Sequence, residues 1–433
     1  MARPTPPRET VEAVAALVLG WFGTRLLLLV QALDPGRYSG AILGDVLLYA
    51  ARVERMFQGE VPYRDVAIEY PPGSVPFTVL PGILGGTGAG YRVSFALTML
   101  AVDALGLYLA VRLRRTVDPG RWRIPVAYLV GVFLVGPLLL VRFDIVPAVC
   151  VLAAAVFAVE RRAQASAAAL GFGAAAKLFP AVLLPLLVVG LAPLTGWGRA
   201  LRRTVPGFLV AFCLPVLPAL LLSFDGTISS VVLYHARRGV QVESLWANGI
   251  ALAHVLAGLP AQAVYEFGAL HLASSLSPLA KALSSPATLA AATAAALLVW
   301  RRTRLDGPLD GRDWLLAFTL GVLAFMLPSK VLSPQYLLWL MPLAAALVPW
   351  EATWPAFWAA LAAGPLTQLV FPFHYDRLLL LQPQGVWLLT ARNALLVLVA
   401  VVVVRALWRG GAPAAAGAAG EQEPVVLDAG GAR

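Results

Sequence analysis

Charge is scarce in this chain. Only 13% of its 433 residues are Asp, Glu, Lys or Arg, about half the usual share of a soluble protein. A water-facing surface cannot be built from so little. With two cysteines a disulfide scaffold is excluded, and the shortage of charge excludes a chain that is disordered throughout. Lysine is nearly absent: Lys177, Lys281 and Lys330 are the whole set, so arginine supplies most of the positive charge. The net charge of +10 invites a nucleic-acid reading. Without soluble surface to carry a basic patch, that reading fails and membrane topology takes its place. Walker A, HExxH and metal-cysteine spacings are missing too, which disfavours an ATP-driven pump or a membrane metalloprotease.

What the chain does have is apolar length. Hydrophobic residues make up 60% of it and mean hydropathy is +0.79. A crossing helix needs roughly 20 mostly apolar residues. Such stretches recur at 11–32, 91–111, 124–141, 144–159, 205–223, 285–300, 313–328, 334–349, 354–371 and 386–404. The run 165–194 is too long for one crossing and breaks at Lys177–Pro180, so it reads as two short ones. The expected fold is an all-α polytopic bundle of about twelve crossings. Its expected organisation is a cytoplasmic tail at 1–10, one membrane domain at 11–409 and a disordered cytoplasmic tail at 410–433. Residues 11–33 also resemble a secretory signal; the length of the apolar core favours retention. Cys150 and Cys213 fall within crossings and read as small packing residues.

Arginine sets the orientation. Clusters at Arg112–Arg123, Arg161–Arg162, Arg199–Arg203, Arg301–Arg312 and Arg405–Arg409 all fall on one side if the N-terminus is cytoplasmic. That parity requires the Gly- and Pro-rich segment 74–88 to lie along the membrane without crossing. The outer side then holds two long loops, 34–90 and 224–284, and short turns at 142–144, 177–180, 329–333 and 372–385. Ionisable groups near a bilayer are costly, so their gathering on this side marks chemistry.

The candidates there are Asp45, Glu69, Tyr70, Arg142, Asp144, Lys177, His235, Arg237, Arg238, Glu243, Lys330, Gln335 and His374. Val46, Tyr49, Val53, Met56 and Phe57 recur at helical spacing, predicting an amphipathic surface helix. Asp45 at its start reads either as an N-cap or as a general base. Glu69-Tyr70-Pro71-Pro72-Gly73 predicts a stiff turn. Lys177 reads either as a phosphate ligand or as a side chain snorkelling to the interface. Arg142 and Lys330 read as phosphate ligands or as structural partners of Asp144 or a headgroup. Arg237 and Arg238 are open to a second reading, as loop charges on lipid headgroups. A lone His is more often structural, which applies to His235 and His374. Asp103, in mid-crossing, is expected to pair within the bundle with a cation such as Arg25.

GDVLLYARVERMFQGEVPYRDVAIEYPPG, RFDIVPAVCVL, AAAKLFPAVLLPLL, YHARRGVQVES and KVLSPQYLLWLMPL occur in this order from about residue 44 to 345. Together they resemble the integral-membrane glycosyltransferases of family 87, within the GT-C superfamily. The resemblance implies a bundle of about a dozen helices with juxtamembrane helices in the first outer loop. It implies a polyprenyl-phosphate-linked sugar donor, by analogy mannose, and a glycolipid or envelope-glycan acceptor on the extracytoplasmic face of a bacterial-type plasma membrane. It also implies a catalytic carboxylate in the first outer loop, which falls on Asp45. Paired acids are common there in GT-C enzymes; this chain has Gly44-Asp45-Val46, so no metal pair is evident and no cofactor is expected. The cations Arg142, Lys177, Arg237, Arg238 and Lys330 would neutralise the leaving phosphate. A transporter or flippase of lipid-linked sugar is the competing reading. It calls for functional charges near the midplane, often on broken helices in two related halves. Here the charges gather at one face and no two-half symmetry is visible; the broken segment around Lys177 is the one feature that suits it.

Overall fold

The computed structural model describes residues 8–34 and 40–410. The expected tails and the opening of the first long loop largely fall outside them. Almost everything described is helical. The first part comprises α1 (Arg8–Leu33), α2 (Gly40–Phe57), α3 (Val75–Gly85), α4 (Ala89–Val117), α5 (Arg123–Leu134), α6 (Leu138–Val141) and α7 (Ile145–Val159). Next come α8 (Ala163–Ala176), α9 (Leu183–Thr195), α10 (Trp197–Leu222), α11 (Phe224–Ile228), α12 (Tyr234–Arg237) and α13 (Leu245–Ala257). A hairpin of β1 (Ala261–Glu266) and β2 (Ala269–Ser274) follows. The chain closes with α14 (Ser277–Asp306), α15 (Gly311–Met326), α16 (Leu337–Ala346), α17 (Trp354–Gln368), α18 (Tyr375–Leu379) and α19 (Pro383–Arg409).

Each stretch expected to cross is helical, and six of the helices are long and apolar enough to cross a membrane on length and composition alone. The chain is a multi-pass membrane protein of all-α type. Its periphery is oily: Leu214 and Leu221 on α10 are 75% and 86% exposed, an arrangement suited to lipid and not to water. The centre is different. All ten residues of α16 are buried, and α7 and α15 are nearly so. A helix this short survives at depth because protein surrounds it on every side.

Two departures from expectation matter. The amphipathic helix begins at Gly40, so Asp45 lies in its second turn and cannot be its N-cap. The second outer loop also contains a strand pair that helical periodicity does not announce. Phe267 (φ 48) and Gly268 (φ 65) both adopt left-handed conformations at its two-residue turn. That is the twist a tight hairpin needs, and glycine reaches it without strain.

Candidate active site

The short turns and long loops read as outer converge at one end of the bundle. The stiff turn explains how. A Cβ on Gly73 would sit 2.6 Å from the Ala175 carbonyl carbon, so only glycine lets this turn lie against the end of α8. The Ser74 hydroxyl closes the turn on the Pro71 carbonyl at 2.8 Å. α8 stops at Ala176, and Lys177 is extended before a short turn over Phe179–Val182. Tyr70 is thereby laid beside Lys177.

Lys177 occupies a box. Its Nζ lies 5.3 Å from the centroid of Tyr70, 5.4 Å from Phe143, 5.3 Å from Tyr336 and 5.1 Å from Trp339. It donates to Asp144 Oδ1 at 2.6 Å, and Trp339 Nε1 donates to the same oxygen at 2.9 Å. Tyr336 stacks on Trp339, and Trp339 stacks on Phe179. Snorkelling is therefore corrected: the ammonium is drawn inward by a carboxylate and four rings. The pairing of Arg142 with Asp144 is corrected as well. Arg142 has extended backbone whereas Asp144 already has helical dihedrals, so the two side chains leave the turn toward different elements. Arg142 Nε instead lies 2.9 Å from Asp45 Oδ2, tying the α6–α7 turn to α2.

Glu69 pairs with Arg52 of α2, and its carbonyl meets His235 Nε2 at 2.7 Å. Burial pushes the His235 pKa down, and the charges of Arg238 and Lys177 push the same way, which favours the neutral ring. Burial raises the Tyr70 pKa, with the charges of Asp45, Glu69 and Asp144 acting in the same sense. Asp45, Glu69, Asp144, Lys177, His235 and Arg238 thus share one electrostatic neighbourhood. Within it Asp45 is the most open carboxylate: its side chain is 32% exposed, against 15% for Glu69 and 1% for Asp144.

A cationic group adjoins it. Lys330 Nζ donates to the carbonyls of Ala236 and Arg238 at 3.1 and 3.0 Å. Gln241 stitches the two segments together. Its N–H donates to the Lys330 carbonyl at 2.9 Å, and its Oε1 accepts from Leu332 N–H at 2.9 Å. Lys281, on the first turns of α14, donates to the Arg237 carbonyl at 2.8 Å. Its place was hidden because α14 begins eight residues before the apolar stretch that announced it. Burial together with Lys281 and Arg238 lowers the Lys330 pKa to about 8. Among the described residues no carboxylate pairs with Arg237, Arg238, Lys281 or Lys330, so the charge of this cluster is unbalanced. Below Lys330 a cleft of about 340 Å³ runs between α14 and α15, past Ser284 and Thr288 to Leu289, Ala292 and Phe325.

Other candidates stand apart. Glu243 is buried and pairs with Arg392 of α19 at 3.2 Å, so it is no loop charge facing a ligand. His374 is turned back on the Leu369 carbonyl at 2.9 Å. Gln335 is half-buried in the turn that leads into α16, beside Tyr336. Among the described residues no group of three or more His, Cys, Asp or Glu is placed to share a metal ion.

No family model matches this chain, and no curated protein does. Among solved structures it is similar to ArnT from Cupriavidus metallidurans. The crystal structure of ArnT bound to undecaprenyl phosphate gives a TM-score of 0.49 at 16% identity, over 91% of this chain and 77% of that one. The apo crystal structure gives 0.48 at 17% identity, over 92% and 77%.

Proposed function

We propose that this protein is a membrane glycosyltransferase that takes a sugar from a polyprenyl-phosphate donor, with mannose as the first donor to try. The observation that carries the reading is the juxtaposition of an open carboxylate, Asp45, with an unbalanced cationic cluster above an apolar cleft. The sequence resemblance to family 87 supplies the reaction class. The phosphodiester of such a donor carries one negative charge, and the departing polyprenyl phosphate carries a second. Arg238, Lys330, Lys281 and Arg237 are suited to that added charge, in a partly dry setting where fixed cations act strongly. The polyprenyl chain would follow the cleft from Lys330 toward Leu289.

In the proposed step the acceptor hydroxyl attacks the anomeric carbon as the carbon–oxygen bond to phosphate breaks. The bonding pair leaves on the phosphate oxygen, the hydroxyl proton passes to Asp45, and the anomeric centre inverts. Arg142 holds the Asp45 carboxylate in orientation while much of it stays accessible. Counter-charge comes from protein cations, so the step as written uses no metal ion. The arginine-rich end is assigned to the cytoplasm together with both termini, which puts this site on the extracytoplasmic face.

The test is a panel of labelled polyprenyl-phosphate sugars offered to the reconstituted protein with glycolipid acceptors. Transfer of label from the mannose donor is the expected result. Movement of intact lipid-linked sugar across the vesicle, with no transfer from any donor, would replace the enzyme with a transporter.

A further inference from the structure

A second cationic cavity lies at the other end of the bundle, and nothing in the transfer reaction uses it. α7 starts beside Asp144 and ends at Val159, so its 15 residues carry the chain about 22 Å away from the candidate active site. There α8 and α10 pack so closely that a Cβ on Gly207 would sit 2.9 Å from the Gln164 carbonyl oxygen. Beside this contact small residues, among them Ala165, Ala168 and Ala211, leave a cleft of about 700 Å³. Its mouth is lined by Arg161, Arg162 and Arg203.

These guanidinium groups are not neutralised from below. Glu160, the nearby acid, is gripped by Arg112 at 2.6 and 2.5 Å, and Arg162 reaches it only at 3.9 Å. Arg161 holds φ at 61, an unusual conformation for a residue with a side chain, directly before the α8 N-terminus. No side chain caps that terminus, and Ala163, Gln164 and Ala165 of its first turn also line the cleft. Their backbone N–H groups have no acceptor within the helix and add positive potential at the same mouth. Further along α10 the lining turns apolar with Val210, exposed by 69%, and Ala211.

We infer that this cleft binds an anionic phospholipid bearing more than one phosphate, with the headgroup at Arg161, Arg162 and Arg203 and an acyl chain along Val210 and Ala211. Three cations over an apolar floor match a doubly charged lipid better than a zwitterionic one, and better than a free anion, which would leave the floor bare. The site is independent of the proposed transfer reaction.

Native mass spectrometry of the full-length protein, titrated with cardiolipin or phosphatidylcholine, tests it. Cardiolipin is expected to bind selectively. Arg161→Ala/Arg162→Ala/Arg203→Ala should weaken it by at least about tenfold. A control triple from the same end, Arg115→Ala/Arg121→Ala/Arg199→Ala, should change it by less than about twofold. Ala211→Phe keeps every charge and fills the floor; it should weaken binding too, and it decides the matter if the triple variant does not fold. Equal loss in both triples would mean that only net charge counts and would overturn the site. So would unchanged binding in Ala211→Phe, or full displacement of the lipid by inorganic phosphate.

Discussion

Asp103 and Asp45 are both aspartates answered by an arginine, and they are built for opposite ends. Asp103, midway along α4, is 0% exposed and saturated with donors. Arg25 Nε reaches it at 2.8 Å and the Arg25 fork at 3.1 Å, Trp21 Nε1 at 2.7 Å and the Tyr128 hydroxyl at 2.9 Å. No acceptor site on it remains to be offered to a substrate. Asp45 has its arginine on one side and is 32% exposed on the rest. A carboxylate stabilises a fold by being used up, and serves chemistry by being held while part of it stays free.

The contrast is broken most severely at Arg25. Arg25→Leu leaves a buried, unpaired charge and should cost about 3–5 kcal/mol, read as a loss of thermal stability in detergent. Arg25→Leu/Asp103→Leu should recover most of that loss, because removing both charges removes the desolvation cost. A double variant no more stable than the single would mean that the pair is not what holds α1 to α4. Asp45→Asn should do the reverse: a fall in transfer rate of about 10²–10⁴-fold with unchanged donor affinity, and a smaller loss of thermal stability than Arg25→Leu because Asp45 is partly exposed. Full activity in that variant would remove Asp45 from the reaction.

The smallest effect sharpens the cationic side. The Lys330 pKa, lowered to about 8, means that its charge fades as pH rises through that value. Donor KM should therefore climb a few-fold between about pH 7 and 9 and stay flat in Lys330→Arg, whose charge persists. Stability should move the other way. The unfolded lysine holds its proton to about pH 10.4, so the folded state gains as pH rises through the interval.

Much of this was legible in the chain. Apolar length placed the helices, and the interruption at Lys177–Pro180 proved to be a break between α8 and α9. The Arg25–Asp103 pair could be suggested because a mid-crossing carboxylate has few possible partners. The partners of Asp144 could not be read in advance. Arg142 stands two residues away and Lys177 thirty-three, and only the divergence of the turn at 142–144 decides between them. Gly73 looked like ordinary turn chemistry; that it admits a neighbouring backbone is visible only in three dimensions. Lys281 was missed for a plainer reason. A helix can extend past its apolar stretch into the loop, and polar residues there carry no periodic signal.

The pair between α1 and α4 also has a consequence for how the protein is made. Arg25 enters the bilayer 78 residues ahead of Asp103. An arginine at mid-depth on an isolated helix costs about 2.5–3.5 kcal/mol on insertion scales. During synthesis α1 must wait in that state, or near the interface, until the chain between the two residues has been made. Only the arrival of α4 discharges the cost. The first stable intermediate of assembly should therefore be the α1–α4 pair, formed before the remaining helices have been made.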